Sequence, residues 1–447
     1  MKKRIVVLGG GESGTGAAIL AQDKGFDTFL SDCSVISDKY RNILDRHRIL
    51  YEDGRHTDEA ILTADEVIKS PGIPDKAPII QALHARHISI ISEIEFAARY
   101  TDAPMICITG SNGKTTTTLL TYHILRRAGM SVGLAGNVGH SLARLVAEEP
   151  AERYVIELSS FQLDNMYDFR ADIAILTNIT PDHLDRYHYN FQEYIDAKFR
   201  ILRNQTPASS FIYWNGDSVV SAQIPSHPTD AARYPYAADA ADGLSAYAAE
   251  GQMVVCAGAP APFVFPLSRL SLVGTHNLYN ALAAATAARL SGVPDEAIAD
   301  ALADFPCVPH RLETVATVDG VTYINDSKAT NIDSCRYAVD SVVTPLILIL
   351  GGTDKGNDYT DIAPLIAAKA RALIFLGVNN DKLHTAFDAL VPATLDARSM
   401  PEAIAAARRL AQSGDTVLLS PCCASFDLFR NYEDRGDQFR HIVRSLI

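Results

Sequence analysis

The stretch Ile106-Cys107-Ile108-Thr109-Gly110-Ser111-Asn112-Gly113-Lys114-Thr115-Thr116 decides how this chain folds. A short apolar run breaks into a glycine-rich loop and then into Thr117-Thr118-Leu119-Leu120, which reads as the start of a helix. The segment is therefore a strand, a phosphate loop and a helix. Gly110 and Gly113 let backbone N–H groups turn inward around a polyphosphate, and the helix N-terminus adds its partial positive charge. Lys114 reaches the β- and γ-phosphates and Thr115 ligates Mg2+, so the loop asks for a nucleoside triphosphate. It is a variant of the usual pattern: two residues separate Gly110 from Gly113, and Ile108 stands where an earlier glycine would be. A Gly-Lys-Thr in a surface turn is the competing reading. The apolar strand before it and the β-branched helix start after it weigh against that.

Working outward to the N-terminus, residues 5–8 read as a buried strand, and Gly9-Gly10-Gly11-Glu12-Ser13-Gly14 matches G-x-G-x-x-G before a helical run over 15–23. A second strand over 28–30 leads to Asp32. Glycines at the turn, a helix N-terminus for a pyrophosphate and an acid near the ribose make a dinucleotide fingerprint, and any ribose-bearing diphosphate satisfies the same geometry. Val67-Ile68-Lys69-Ser70-Pro71-Gly72-Ile73-Pro74 is a strand running into a proline-locked loop, placed to cover that ligand. A helical segment over 93–100 and the break Thr101-Asp102-Ala103-Pro104 then lead into the phosphate loop.

On the C-terminal side, a strand over 154–156 delivers Glu157, an acid suited to a Mg2+ site, with a capping role as the alternative. A strand over 173–176 runs into Thr177-Asn178-Ile179-Thr180-Pro181-Asp182-His183-Leu184-Asp185, too polar for a simple connector, which favours a site role for His183. Lys198 lies on an amphipathic helix over 191–202, where a lone lysine reads as part of a solvated face. Residues 225–266 are rich in Ala, Pro, Asp and Gly and show no chemistry. Asn277 and Asn280 sit one turn apart at the head of an alanine-rich helix ending near 290, so both amides can face one ligand, with capping by Asn277 as the alternative. A third α/β unit follows Pro309-His310-Arg311. Its strands over 321–324, 346–350 and 417–419 end in three polar loops: residues 325–331, 351–356 and 420–426. Polar loops at strand C-termini mark a binding crevice.

The 447 residues suit about three domains of ordinary size, and 47% hydrophobic with 21% charged residues is the composition of a globular enzyme. A net charge of −13 argues against nucleic acid and a membrane surface as partners. Seven scattered cysteines without metal spacing fit reduced thiols in a cytoplasmic protein, and the vicinal Cys422-Cys423 pair reads as buried and inert. Met1-Lys2-Lys3-Arg4 with the apolar residues 5–8 imitates a signal peptide, but glycines end the run. An NAD-dependent oxidoreductase would leave the second phosphate loop unused, and a nucleotide switch would leave the third crevice unused.

Taken together, TGSNGKTT from Thr109, Glu157, NITPDHLDRY from Asn178, Lys198, GTHNLYNALAA from Gly274, PHRLE from Pro309 and NDSKATN from Asn325 resemble the Mur ligases of peptidoglycan synthesis, over all three segments. ELSSFQL from Glu157, NDSKATN and LLSPCCASFDLF from Leu418 look most like the branch that adds D-glutamate to UDP-N-acetylmuramoyl-L-alanine; another Mur-type or a folylpolyglutamate-type ligase is the alternative. The resemblance implies an α/β protein of three domains. These are a Rossmann-like UDP-sugar domain over 1–93, a central P-loop ATPase domain with a parallel sheet over 94–307, and a Rossmann-like amino-acid domain over 308–447. It also implies a monomeric cytoplasmic enzyme that uses ATP, two Mg2+ ions and a Lys198 carbamylated by CO2. By matching position, Gly110, Ser111, Asn112, Gly113, Lys114, Thr115, Thr116, Asn277, Asn280, Arg311 and Asp326 would receive ATP. Thr115, Glu157, His183 and Lys198 would serve the metals, with Lys114, His183 and Lys198 catalytic. Gly11, Glu12, Ser13, Asp32, Gly72 and Asn137 would hold the UDP-sugar, and Lys328, Thr330, Lys355, Ser425 and Tyr432 would face D-glutamate. Two departures stand out: Cys33-Ser34 where relatives often carry Thr-Arg, and Tyr432 where a phenylalanine is common.

Overall fold

The computed structural model describes residues 2–272, 274–306, 308–354 and 356–447. The chain packs as two compact units, Met1–Phe305 and Pro306–Ile447. Three sheets organise it: two in the first unit and one in the second.

The first sheet runs in the order β3-β2-β1-β4-β5, with β1 (Arg4–Leu8), β2 (Asp27–Ser31), β3 (Leu50–Glu52), β4 (Glu66–Lys69) and β5 (Ser89–Ile91). All its pairings are parallel. Ile5, Val6, Val7 and Leu8 are fully buried, as expected of a central strand covered on both faces. The helix after the first glycine loop is Glu12–Asp23 and starts three residues before the position expected from sequence, because Gly11 takes the N-cap.

The second sheet has nine strands in the order β14-β13-β12-β11-β10-β9-β6-β8-β7. They are β6 (Met105–Thr109), β7 (Val132–Gly136), β8 (Arg153–Glu157), β9 (Ile173–Leu176), β10 (Ser210–Trp214), β11 (Ala232–Asp239), β12 (Ala246–Ala249), β13 (Gln252–Val255) and β14 (Phe263–Pro266). The region 225–266, silent in the sequence, thus supplies β11 to β14 and extends the sheet, with β12 to β14 antiparallel. Along β14 only Phe263 and Phe265 turn inward, the period-two pattern of a half-covered strand. The helix after the phosphate loop is Lys114–Arg127, not a helix opening at Thr117: Gly113 holds a left-handed φ of 81°, which ends the turn and makes Lys114 the first helical residue.

The third sheet runs β15-β16-β20-β17-β18-β19, with β15 (Glu313–Val318), β16 (Val321–Asn325), β17 (Leu346–Leu350), β18 (Ala370–Leu376), β19 (Thr394–Ala397) and β20 (Thr416–Leu419). Only the β15–β16 pairing is antiparallel. The loops after β16, β17 and β20 therefore leave adjacent parallel strands at one edge, which brings the three polar loops of the sequence side by side. Among the described residues, no helix is long and apolar enough to cross a membrane.

Candidate functional site

The phosphate loop is strapped to the loop after β9. Ser111 Oγ donates to the Thr180 carbonyl (2.8 Å), the Asn112 amide donates to Asn178 Oδ1 (2.8 Å), and Thr177 Oγ1 donates to the Asn112 carbonyl (2.6 Å). Gly110 and Gly113 both have positive φ, and a Cβ on Gly110 would collide with the Thr177 hydroxyl. Backbone this tightly held keeps its N–H groups in place before any ligand arrives. Lys114 Nζ folds back on the Gly110 and Ser111 carbonyls at 2.7 and 2.9 Å. Thr115 and Thr116 are buried in the first helical turn.

Lys198 is not on a solvated face. It is 1% exposed, on the helix Phe191–Phe199, and its Nζ donates to the same Gly110 carbonyl at 2.8 Å. Burial, and then the neighbouring charge of Lys114, push its pKa well below the ordinary lysine value, so the neutral amine is favoured. Two lysine amines thus converge on one carbonyl of the phosphate loop. His183 lies on the adjoining loop in a left-handed turn, its ring edge-on to Phe161 (5.2 Å between centroids). Phe161 also carries the Arg186 guanidinium 4.4 Å above it, and Arg186 reaches the Pro71 and Gly72 carbonyls at 3.4 Å. Glu157 is buried at the end of β8 and accepts from Asn137 Nδ2 (2.8 Å), so a residue expected at the metals and one expected at the UDP-sugar are in direct contact. Among the described residues, no three His, Cys, Asp or Glu side chains form a metal-binding cluster.

Asn277 does not cap its helix; Gly274 holds that position. Asn280 donates to Asn277 Oδ1 (3.2 Å) and accepts from Thr117 Oγ1 (3.1 Å), which places both amides against the helix of the phosphate loop.

In the first sheet, a cavity of about 390 Å3 opens beside the first glycine loop, lined among others by Gly11, Glu12, Ser13, Asp32 and His56. Asp32 accepts from the Gly10 amide (2.6 Å) and the Ser34 amide (2.8 Å), which fixes the loop's shape. Ser70 and Ile73 line the same cavity, so the proline-locked loop around Gly72 does approach it.

In the second unit, Asp326 is buried and accepts from Ser420 Oγ (2.9 Å) and the Leu312 amide (3.2 Å); burial pushes its pKa up to about 7. Lys328 Nζ donates to the Tyr432 hydroxyl at 3.0 Å and lies 4.7 Å from its ring centroid, a contact a phenylalanine could make only in part. The Thr330 amide donates to the Lys328 carbonyl and Ser425 is buried at the turn after β20. Lys355 lies outside the described residues. Cys422 and Cys423 are buried; a hydrogen bond with Cys335 and then burial push the Cys422 thiol up, and burial pushes up that of Cys423, as expected of inert cysteines.

Sequence reasoning missed three residues here. Arg435 is buried and binds the Ser327 carbonyl (2.8 Å) and the Cys423 carbonyl (3.3 Å), tying two of the polar loops together; a lone arginine on a polar C-terminal helix carries no signal of this. Tyr194, which shares a hydrogen bond with Ser111 (3.0 Å), could have been found from its spacing of four residues before Lys198. His56 stands outside any motif.

Comparison with known proteins gives a consistent result. The Mur ligase MurD-like N-terminal domain matches residues 3–92, the Mur ligase middle domain residues 108–288 and the Mur ligase glutamate ligase domain residues 310–423. The chain is 59% identical to a UDP-N-acetylmuramoylalanine--D-glutamate ligase of Bacteroides fragilis over 99% of this chain and 100% of that one. It is 59% identical to the ligase of the same name from Porphyromonas gingivalis strain W83, over 100% and 99%. Among solved structures, it resembles the UDP-N-acetylmuramate-alanine ligase MurC of Thermotoga maritima with a TM-score of 0.61 at 17% identity, covering 100% of both chains. It resembles the MurF ligase of Thermotoga maritima in complex with ADP with a TM-score of 0.61 at 14% identity, covering 94% and 96%. At those identities the structures speak for the fold alone.

Proposed function

The chain belongs to the Mur ligase family, and from that premise we propose that it joins D-glutamate to the carboxylate of UDP-N-acetylmuramoyl-L-alanine with cleavage of ATP to ADP and phosphate, in the cytoplasmic assembly of peptidoglycan precursors. The observation that carries the proposal is the convergence of Lys114 and Lys198 on the Gly110 carbonyl, inside a phosphate loop already locked in shape.

The chemistry sets the order of events. A carboxylate does not condense with an amine at neutral pH, so the alanyl carboxylate first attacks the γ-phosphate to give an acyl phosphate. The neutral amine of D-glutamate then attacks the acyl carbon, and phosphate leaves from a tetrahedral oxyanion. Lys114 and the loop amides neutralise charge on the transferring phosphoryl group, and positioning supplies most of the rest. Mg2+, held by Thr115, Glu157, His183 and a carbamylated Lys198, would neutralise phosphate charge. The residues fit that role through Lys198: a buried amine kept neutral is the form that takes up CO2, and the carbamate would supply oxygen donors of the kind Mg2+ prefers.

The remaining assignments follow the same reading. Residues 1–93 would hold the UDP-sugar through Gly11, Glu12, Ser13, Asp32 and Gly72, with Asn137 added from the central segment. Residues 94–307 would bind ATP through the phosphate loop, Asn277 and Asn280. Residues 308–447 would present D-glutamate through Lys328, Thr330, Lys355, Ser425 and Tyr432. The enzyme would work as a monomer. The test is phosphate release from ATP in the presence of UDP-N-acetylmuramoyl-L-alanine with each candidate amino acid in turn. Release that depends on D-glutamate supports the proposal, and release indifferent to the amino acid removes it.

A further inference from the structure

Along the C-terminal edge of the first sheet, the parts of a nucleotide fall to successive strands. β1 ends in the glycine loop and the N-terminus of the helix Glu12–Asp23, which suits a diphosphate. β2 ends at Ser31 and leads to Asp32, where a ribose would lie. β3, next in the sheet, ends at Glu52, and the chain beyond it brings His56 into the same 390 Å3 cavity as Asp32. The base would therefore lie toward His56.

The hydrogen bonds fix which nitrogen of His56 carries the proton. Glu52 accepts from the Thr57 amide (2.7 Å), the Thr57 hydroxyl (2.6 Å) and the Ser31 hydroxyl (2.8 Å). Burial raises its pKa, but these bonds more than offset that and hold it below the ordinary value, so it is a carboxylate with no proton to give. Ser31 has one hydroxyl proton and spends it on Glu52. His56 Nδ1, 2.7 Å from Ser31 Oγ, must then be the donor in that contact. A neutral imidazole with its proton on Nδ1 leaves Nε2 as a bare acceptor. Among the described residues Nε2 has no hydrogen bond.

We propose that Nε2 of His56 accepts the imide N3–H of the uracil ring, making His56 the residue by which this chain selects its nucleotide base. This rests on the UDP-sugar reading of the cavity. It also gives the base a polar contact in a chain where Cys33-Ser34 replace the more usual Thr-Arg.

The test compares binding of UDP and of 3-methyluridine 5′-diphosphate, whose methyl group removes the N3–H, to the full chain and to His56→Ala and His56→Gln. The parent should bind UDP several-fold more tightly than the methylated nucleotide. His56→Ala should lose about three- to tenfold toward UDP and nothing toward the methylated form, the size of one neutral hydrogen bond. His56→Gln, whose amide oxygen is again an acceptor, should recover most of the UDP affinity. Unchanged UDP binding in His56→Ala overturns the proposal, and so does an equal loss toward both nucleotides. A parent that binds neither nucleotide overturns the reading of the cavity itself, which separates the two failures.

Discussion

The two glycine-rich loops look alike as sequence, yet carboxylates line the first and lysine amines close on the second. Around the first stand Glu12, Asp32 and the hydroxyls of Ser13 and Ser34; around the second stand Lys114 and Lys198. With Glu12 and Asp32 beside it, the first loop offers a diphosphate its backbone amides and a helix end, which grip the ligand equally at every stage of a reaction. The Lys114 cation at the second loop responds to charge that grows on a phosphoryl group, and only interactions that strengthen in the transition state accelerate chemistry. One loop is built to bind and the other to catalyse.

The sharpest way to break this contrast is Lys114→Ala. Its turnover should fall on the order of 100-fold or more while UDP-substrate affinity stays nearly unchanged. Rapid-quench detection of acyl phosphate, with equilibrium binding of UDP alongside, separates the two effects. Near-normal ligation would mean that the second loop does not run the chemistry.

Lys198→Ala asks whether the second lysine works as a cation or as an anion. If it is carbamylated, the variant should lose roughly 100-fold in rate and regain part of it with acetate, which can fill the vacated anion position, whereas alkylamines should not help. Its buried amine, already driven toward neutrality, is the form that reacts with CO2. Rescue by amines and not by acids would show a working cation. Mass spectrometry is a weak alternative, because carbamates are lost on acidification.

How much of this was legible follows the physics of each signal. Glycine loops and strand ends are local, so the three crevices could be placed from sequence, and the strand over 173–176 was placed to the residue. Burial of Lys198 could not be read locally: the helix Phe191–Phe199 is amphipathic, and only packing against the phosphate loop decides that its lysine points inward. The strands β11 and β12 escaped because alanine, proline and aspartate are poor strand formers and they are held by pairing with a strand already in place, whereas the Met253–Val255 and Phe263–Phe265 runs of β13 and β14 did carry a strand signal. Arg435 and His56 escaped because each acts through contacts distant in the chain, which no spacing rule can show.

At the first loop the contrast predicts an effect of a different kind. Asp32 accepts two backbone N–H groups, and Asp32→Asn would turn an amide NH2 toward one of them. Apparent KM for the UDP-substrate should rise roughly tenfold with kcat nearly constant, the signature of lost uniform binding. A fall in kcat with KM unchanged would place the first loop in the chemistry and dissolve the comparison.

The smallest expected effect concerns the packing of the helix after the first loop against the helix Leu142–Glu148. The helix after the first loop lies against Ser141 through Gly16, where a Cβ would collide with the Ser141 hydroxyl. Ser141 in turn donates to Glu93 Oε1 (2.7 Å), which also accepts the Ala143 amide (2.5 Å). Glu93 is buried, and burial pushes its pKa from 4.5 up to about 7. Because the folded-state value is the higher one, the protonated acid is favoured by folding: its contribution is complete below pH 4.5 and is lost as pH rises through 7. At about 1.4 kcal/mol for each pH unit between the two values, the full loss is roughly 3 kcal/mol, with structural relaxation reducing it. Glu93→Gln keeps both accepted bonds on Oε1 and cannot ionise, so it mimics the protonated acid. Its unfolding free energy should match the parent's near pH 4 and exceed it by about 2–3 kcal/mol at pH 8, with UDP binding and ATP cleavage unchanged. Urea unfolding at the two pH values measures this directly. A variant whose stability tracks the parent's at both would mean that Glu93 is ionised throughout, and that its contact with Ser141 and Ala143 carries a buried carboxylate rather than a neutral acid.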